Sequence, residues 1–191
     1  MKVLHNSVEY LNNEFLKKIR PNTTLLEIGC GSNSRILNSS NRKIIRKDGL
    51  DLYEIDSNGK NNFANIIGSV SNLPLSSNQY DYCISNQSLE HWFEFNVSLK
   101  RGLYEICRVL KNETGEVILN FPLFLHGKKQ FVQGDLEYIL DEISNFFKIK
   151  SITIVHSSSK HYFGWQRCRQ PKYRIETVSY THLTLPTKLA V

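Results

Sequence analysis

The sequence predicts an α/β domain, a mostly parallel sheet wound by helices on both faces. Three observations carry that expectation. Apolar runs of strand length alternate with segments whose apolar residues recur every three or four positions. The first such run, "TLLEI" (24–28), stops in the tight turn "GCG" (29–31), and open parallel sheets hold ligands beyond the C-terminal ends of their strands. The chain has 191 residues, 40% of them hydrophobic and 22% charged, which suits one globular domain with a sizeable core.

The elements follow in order. In "SVEYLNNEFLKKIR" (7–20), Val8, Leu11, Phe15, Leu16 and Ile19 form one helical stripe, with Ser7 able to cap its start and Arg20-Pro21 to end it. "TLLEI" reads as the first strand, "DGLDLY" (48–53) as the second, "NIIGSV" (65–70) as the third and "YDYCISN" (80–86) as the fourth. Residues 97–110 put Val97, Leu103, Ile106, Val109 and Leu110 on a helical face. "GEVILNF" (115–121) reads as a fifth strand, 134–147 as a helix and "IKSITIV" (149–155) as a sixth strand. No internal repeat is visible.

Composition excludes several classes. No apolar run reaches the ~20 residues that cross a bilayer. The N-terminus lacks the apolar stretch of a signal peptide, so the expected compartment is the cytoplasm. Cys30, Cys83, Cys107 and Cys168 are scattered with no CxxC pair, so neither a disulfide nor a zinc site is expected. The net charge of +6 owes much to Lys160, Arg167, Arg169, Lys172 and Arg174. That cluster reads as a solvated basic face, or as a contact for phosphate, nucleotide-sugar or nucleic acid. The last 14 residues, "VSYTHLTLPTKLAV", have no clear period and read like translated adapter sequence. The domain is therefore taken as 1–177, with 178–191 a non-native tail.

Gly29 and Gly31 let the backbone turn sharply and approach a ligand, and a helix expected from about Ser34 would aim its N-terminus at the same spot. Asp51, 20 residues past Gly31, is placed to bind a ribose diol; Asp56 is its rival. A dinucleotide site wants G-x-G-x-x-G, and Ser34 stands where the third glycine would be. Glu27 beside the turn can attract an ammonium group. NAD has none; S-adenosylmethionine (SAM) has one.

Four blocks then carry a resemblance. "LLEIGCGSNS" resembles the first motif of class I SAM-dependent methyltransferases, and "GLDLYE" resembles their second-strand acid. "SNLPLSSNQYDYCISNQSLEHW" is similar to the block after their third strand, and "LYEICRVLKNETGEVILNFP" to their following helix, turn and fifth strand. The blocks keep family order across about residues 23–123. "FPLFLHGKKQFVQGDLEYIL" is similar to methyltransferases found among cell-surface polysaccharide genes. The resemblance implies a Rossmann-like doubly wound sheet that normally closes with an antiparallel last strand, here expected to be truncated or replaced.

The resemblance also implies roles. Glu27, Gly29, Cys30 and Gly31 would line the amino-acid and ribose part of SAM, Asp51 would accept bonds from the ribose hydroxyls, and Leu52 would also line the cofactor. The family usually places an aspartate where Ser69 stands, so backbone groups of Ser69 and Val70 would hold adenine. Asn86 and Gln87 would face the SAM carboxylate or the substrate. His126 is a candidate general base, and His91 a candidate substrate contact or a packing residue at a helix start. No metal is implied. Methyl transfer is expected to a small molecule or a saccharide-linked intermediate. The alternatives are an NAD-dependent oxidoreductase, a non-catalytic SAM-binding module, and a nucleic-acid methyltransferase using the basic cluster.

Overall fold

The computed structural model describes residues 2–4, 8–56, 58–123, 133–155 and 172–179. Among the described residues, eight strands form one sheet: β1 (Lys2–Leu4), β2 (Thr23–Ile28), β3 (Ile44–Asp51), β4 (Ile66–Ile67), β5 (Tyr82–Asn86), β6 (Glu116–Pro122), β7 (Phe147–Val155) and β8 (Lys172–Ser179). Their order is β1-β7-β8-β6-β5-β2-β3-β4. Every pairing is parallel except the two made by β8, which runs antiparallel between β6 and β7. The helices are α1 (Val8–Lys18), α2 (Leu99–Val109) and α3 (Leu136–Ser144), with a 3-10 helix over Leu89–Phe95.

Alternation along β2 builds two cores. Leu25 packs on one face with Leu16 and Ile19 and with Ile44, Tyr82, Ile84 and Ile118. Leu26 and Ile28 face the other way, where Cys83, Val117, Leu119 and Phe121 meet Leu103, Ile106 and Val109 of α2 and Ile139 and Ile143 of α3. Glu27 shares the face of Leu25 and is nonetheless only 3% exposed. The Ser98 side chain caps α2 and that of Asp135 caps α3, accepting the Arg101 and Tyr138 amides.

Several expectations need correction. No helix follows the glycine turn: residues 35–38 make a single turn, closed by the Asn38 amide donating to the Ser34 carbonyl at 3.3 Å. The segment continues as Asn38-Ser39-Ser40-Asn41, residues whose side chains compete for backbone hydrogen bonds and disfavour a helix. The third strand shrinks to Ile66–Ile67, a short edge that limits pairing with other chains. β1 was not expected, nor was the separate 3-10 turn before α2. The antiparallel last strand expected from the resemblance is present as β8, paired along both sides, and its final residues, Val178 and Ser179, belong to the 178–191 segment. Arg174 does not join a solvated basic face, because it is 2% exposed. Residues 156–171, with Lys160, Arg167 and Arg169, lie outside the described residues, as does His126.

Candidate functional site

Two cavities meet at the C-terminal ends of β2, β3 and β5. One, of about 230 Å³, is lined by Gly29, Asp51, Leu52, Tyr53, Gly68, Ser69, Val70, His91, Trp92 and Phe95, among others. The other, of about 470 Å³, is lined by Glu9 and Asn12 of α1 and by Glu27, Cys30, Gly31, Ser34, Arg35 and Asn86. Gly29 and Gln87 line both, so the glycine turn forms the saddle between two halves of one groove.

The turn needs its glycines for different reasons. Both have positive φ, +66° at Gly29 and +57° at Gly31. A Cβ on Gly29 would lie 2.4 Å from the Ser88 hydroxyl oxygen, so Gly29 admits the loop after β5. A Cβ on Gly31 would meet no atom within 4 Å; it would project into open space.

Asp51 sits where β3 ends. Its Oδ2 accepts the Gly31 amide at 2.8 Å and its Oδ1 accepts the Leu52 amide at 2.8 Å. One hydrogen bond on each oxygen leaves lone pairs on both, enough for a vicinal diol. Asp56 is occupied differently. Its carboxylate closes a turn through the amides of Asn58 and Lys60, takes a hydrogen bond from Ser32, and lines the larger cavity.

Glu27 faces the larger cavity. Its Oε1 accepts from the Asn86 side-chain amide at 2.8 Å, and its Oε2 from the Ser34 hydroxyl. Burial pushes its carboxyl above the ordinary carboxylate range, and those two hydrogen bonds pull the other way. Asn86 thus lines the groove with its amide already engaged. Cys30 also lines it, but burial, then Asp51 and Glu27, push its thiol up to about 12, so it remains a protonated, weakly polar group.

The smaller cavity has an apolar floor of Val70 and Trp92 and an open aromatic edge. Tyr53 and Phe95 stack edge-to-face with centroids 6.5 Å apart. Ser69 lines the wall, but its hydroxyl contacts the Ser71 hydroxyl at 2.9 Å and accepts the Ser71 amide at 3.2 Å. His91 lines the same cavity with its Nδ1 2.7 Å from Glu94 Oε2.

Residues 26–118 match the family described as the methyltransferase domain. Just under half of the chain is thus similar to a methyltransferase domain. The matched stretch begins inside β2 and ends inside β6, and it encloses the glycine turn, Asp51 and the loop after β5. Solved structures share the fold. SpnF, a [4+2]-cyclase, is 16% identical with a TM-score of 0.66, over 91% of this chain and 82% of that one. A geranyl diphosphate C-methyltransferase from Streptomyces coelicolor A3(2) is 13% identical with a TM-score of 0.64, over 90% and 79%. A TehB-like SAM-dependent methyltransferase from Corynebacterium glutamicum is 16% identical with a TM-score of 0.56, over 85% and 83%. No curated protein matches the chain in sequence.

The cofactor of the methyltransferase domain is SAM, and the groove suits it. The groove has open volume beside Gly31, free lone pairs on Asp51 and the buried carboxyl of Glu27. Of the residues proposed from sequence, Glu27, Cys30, Gly31 and Asn86 gather in one half of the groove, Asp51, Leu52, Ser69, Val70 and His91 in the other, and Gly29 in both. Sequence reasoning missed Tyr53, Ser88, Trp92 and Phe95. Trp92 follows the "LEH" already singled out, and Tyr53 follows Asp51-Leu52, so adjacency was the available signal. It also missed the α1 residues Glu9 and Asn12, which only the packing of α1 brings to the site. Among the described residues, no helix is long and apolar enough to cross a membrane.

Proposed function

We propose that this chain transfers the methyl group of SAM to a small-molecule or saccharide-linked acceptor. The observation that carries the reading is the groove straddling Gly29, with the Asp51 carboxylate in one half and the Glu27 carboxyl in the other. Asp51 would hold the ribose hydroxyls and Glu27 the ammonium. Leu52, Val70 and Trp92 would flank the base. With the Ser69 hydroxyl committed to its own turn, backbone groups of Ser69 and Val70 would meet the adenine edge.

When bound, SAM supplies an electrophilic methyl group on a sulfonium that is already a good leaving group. The chain's work is therefore alignment and exclusion of water, and orientation of this kind can contribute several kcal/mol. Gly29 and Gly31 let the backbone approach closely, and α1 covers the amino-acid half. An acceptor that reacts through O–H or N–H must lose a proton. His91, in the smaller cavity and oriented by Glu94, is placed to take it, and His126 is the second candidate.

One observation favours a second reading, a SAM-binding module without chemistry: the usual adenine-binding aspartate is replaced by Ser69, whose hydroxyl is already engaged. The test separates the two. Calorimetry with SAM, S-adenosylhomocysteine and NAD is followed by transfer assays with methyl-labelled SAM against metabolite, nucleotide-sugar and RNA pools. The proposal expects SAM and its demethylated product to bind, NAD not to, and label to enter a small molecule. Binding without transfer to any pool would favour the module. Binding of NAD alone would defeat both readings.

A further inference from the structure

A buried hydrogen-bonded chain joins the last strand to the SAM groove. Arg174 of β8 is 2% exposed, and Asn120 of β6 and Glu27 of β2 are 0% and 3% exposed. The Arg174 Nη1 donates to Asn12 Oδ1 at 2.8 Å and to Asn120 Oδ1 at 3.3 Å. Asn12 Nδ2 and Asn120 Nδ2 then both donate to Asn86 Oδ1, at 3.1 and 2.8 Å. Asn86 Nδ2 donates to Glu27 Oε1 at 2.8 Å. Two branches thus leave Arg174 and converge on Asn86 before reaching Glu27.

Chemistry fixes the direction of every link. A guanidinium only donates, so both asparagines must turn their oxygens to Arg174 and their NH₂ groups to Asn86. An ionised carboxylate only accepts, so Asn86 must offer its nitrogen to Glu27. Each amide dipole therefore points the same way, with a cation at one end and a carboxylate at the other. Hydrogen bonds aligned in series polarise one another, and burial keeps water from screening them. At the far end, Arg174 Nε also donates to Glu176 Oε1 at 2.7 Å, which fixes the guanidinium without reaching the groove.

From this arrangement we infer that Arg174 is a positioning residue for SAM, holding the Glu27 carboxylate ionised and oriented toward the cofactor's ammonium group through the Asn12, Asn120 and Asn86 amides. The inference rests on the proposed role of Glu27. It places a determinant of cofactor affinity in the strand most distant in sequence from the glycine turn. Burial drives Glu27 toward its neutral form, and the hydrogen bonds from Ser34 and from Asn86, the last amide of the chain, oppose that tendency.

The test compares two ligands that differ only in the amino-acid part. S-adenosylhomocysteine carries the ammonium and carboxylate; 5′-methylthioadenosine keeps the adenosine and sulfur without them. Calorimetric Kd values for both are measured on the full chain and its variants. Arg174→Met is expected to weaken S-adenosylhomocysteine about tenfold, the scale of one charge-assisted hydrogen bond, and methylthioadenosine less than about twofold. Arg174→Lys, which keeps the charge, restores part of the loss. In a Glu27→Gln background, Arg174→Met has no further ligand-selective effect. Should Arg174→Met fail to fold, Asn120→Leu, which cuts one branch at similar volume, carries the same selective comparison.

Parallel weakening of both ligands would reduce Arg174 to a structural role and overturn the inference, as would no change in either. Glu27→Gln alone tests the reading underneath. If it leaves the preference for S-adenosylhomocysteine intact, the Glu27 role fails; if it abolishes that preference while Arg174→Met does not reduce it, only the Arg174 inference fails.

Discussion

Replacing Gly31 with alanine separates binding from folding. Gly31 has φ +57°, where a β-carbon is strained, yet that carbon would meet no protein atom within 4 Å. The fold therefore bears only the left-handed backbone cost, about 1 kcal/mol. For a chain of this size that lowers Tm by about 2–4 °C. The methyl group would project into the space assigned to SAM, where steric overlap of about 1–3 kcal/mol lowers affinity roughly tenfold to a hundredfold. Gly59 is a matched control, with φ +75°, no atom within 4 Å of a built Cβ, and no part in lining either cavity. Gly59→Ala should show the Tm loss without the affinity loss. The assay is thermal unfolding plus calorimetric titration with SAM on both variants. If Gly31→Ala binds SAM as the parent does, the cofactor does not pass over Gly31. If Gly59→Ala loses as much affinity, loop strain explains the effect.

Asp51→Ala should lower affinity for SAM and for free adenosine alike, by roughly a hundredfold if two hydrogen bonds to a charged acceptor are lost, as titration calorimetry would read. Gly102→Ala puts a Cβ 2.3 Å from Trp92 Cζ3; the helical gain of about 1 kcal/mol is outweighed by overpacking of about 1–3 kcal/mol. Its signature is a lower Tm, changed tryptophan fluorescence and weaker SAM binding, since Trp92 lines the groove. Glu27 sets a pH dependence. Its native pKa is raised by burial against the hydrogen bonds from Ser34 and Asn86, so protonation begins above the ordinary carboxylate range as pH falls. SAM affinity should decline through that window and stay flat in Glu27→Gln. The sign for stability is opposite. A raised acid favours the fold at low pH and loses that contribution as pH rises through the native value, so the same substitution should raise stability at neutral pH.

How much of this could be read from the chain depended on whether the signal was local. The strand "TLLEI", the Gly29–Gly31 turn and Asp51 announce themselves within a few residues, and the structure brings them to one groove. The helix expected at Ser34 failed because two apolar residues, Ile36 and Leu37, precede a run of serine and asparagine too polar to continue it. Arg174 was misread for the opposite reason. In sequence it is one of several neighbouring cations. In space it is enclosed by β6, β8 and α1, with partners at positions 12, 120 and 176 that no window along the chain contains. Glu27 looked like a lone acid beside a turn, and nothing near it in sequence announced that its contacts would extend to the last strand.

The place of β8 in the sheet bears on how the protein is made. Synthesis runs from the N-terminus, and β6 and β7 emerge before the strand that lies between them. Until Ser179 has left the ribosome, both must wait with an unfilled gap between them, and unpaired strand edges of that kind invite aggregation. The first residues are held back too, since among the described strands β1 pairs with β7 alone. Closure of the sheet is therefore a late event, and a nascent chain halted before residue 172 would keep its hydrophobic halves apart.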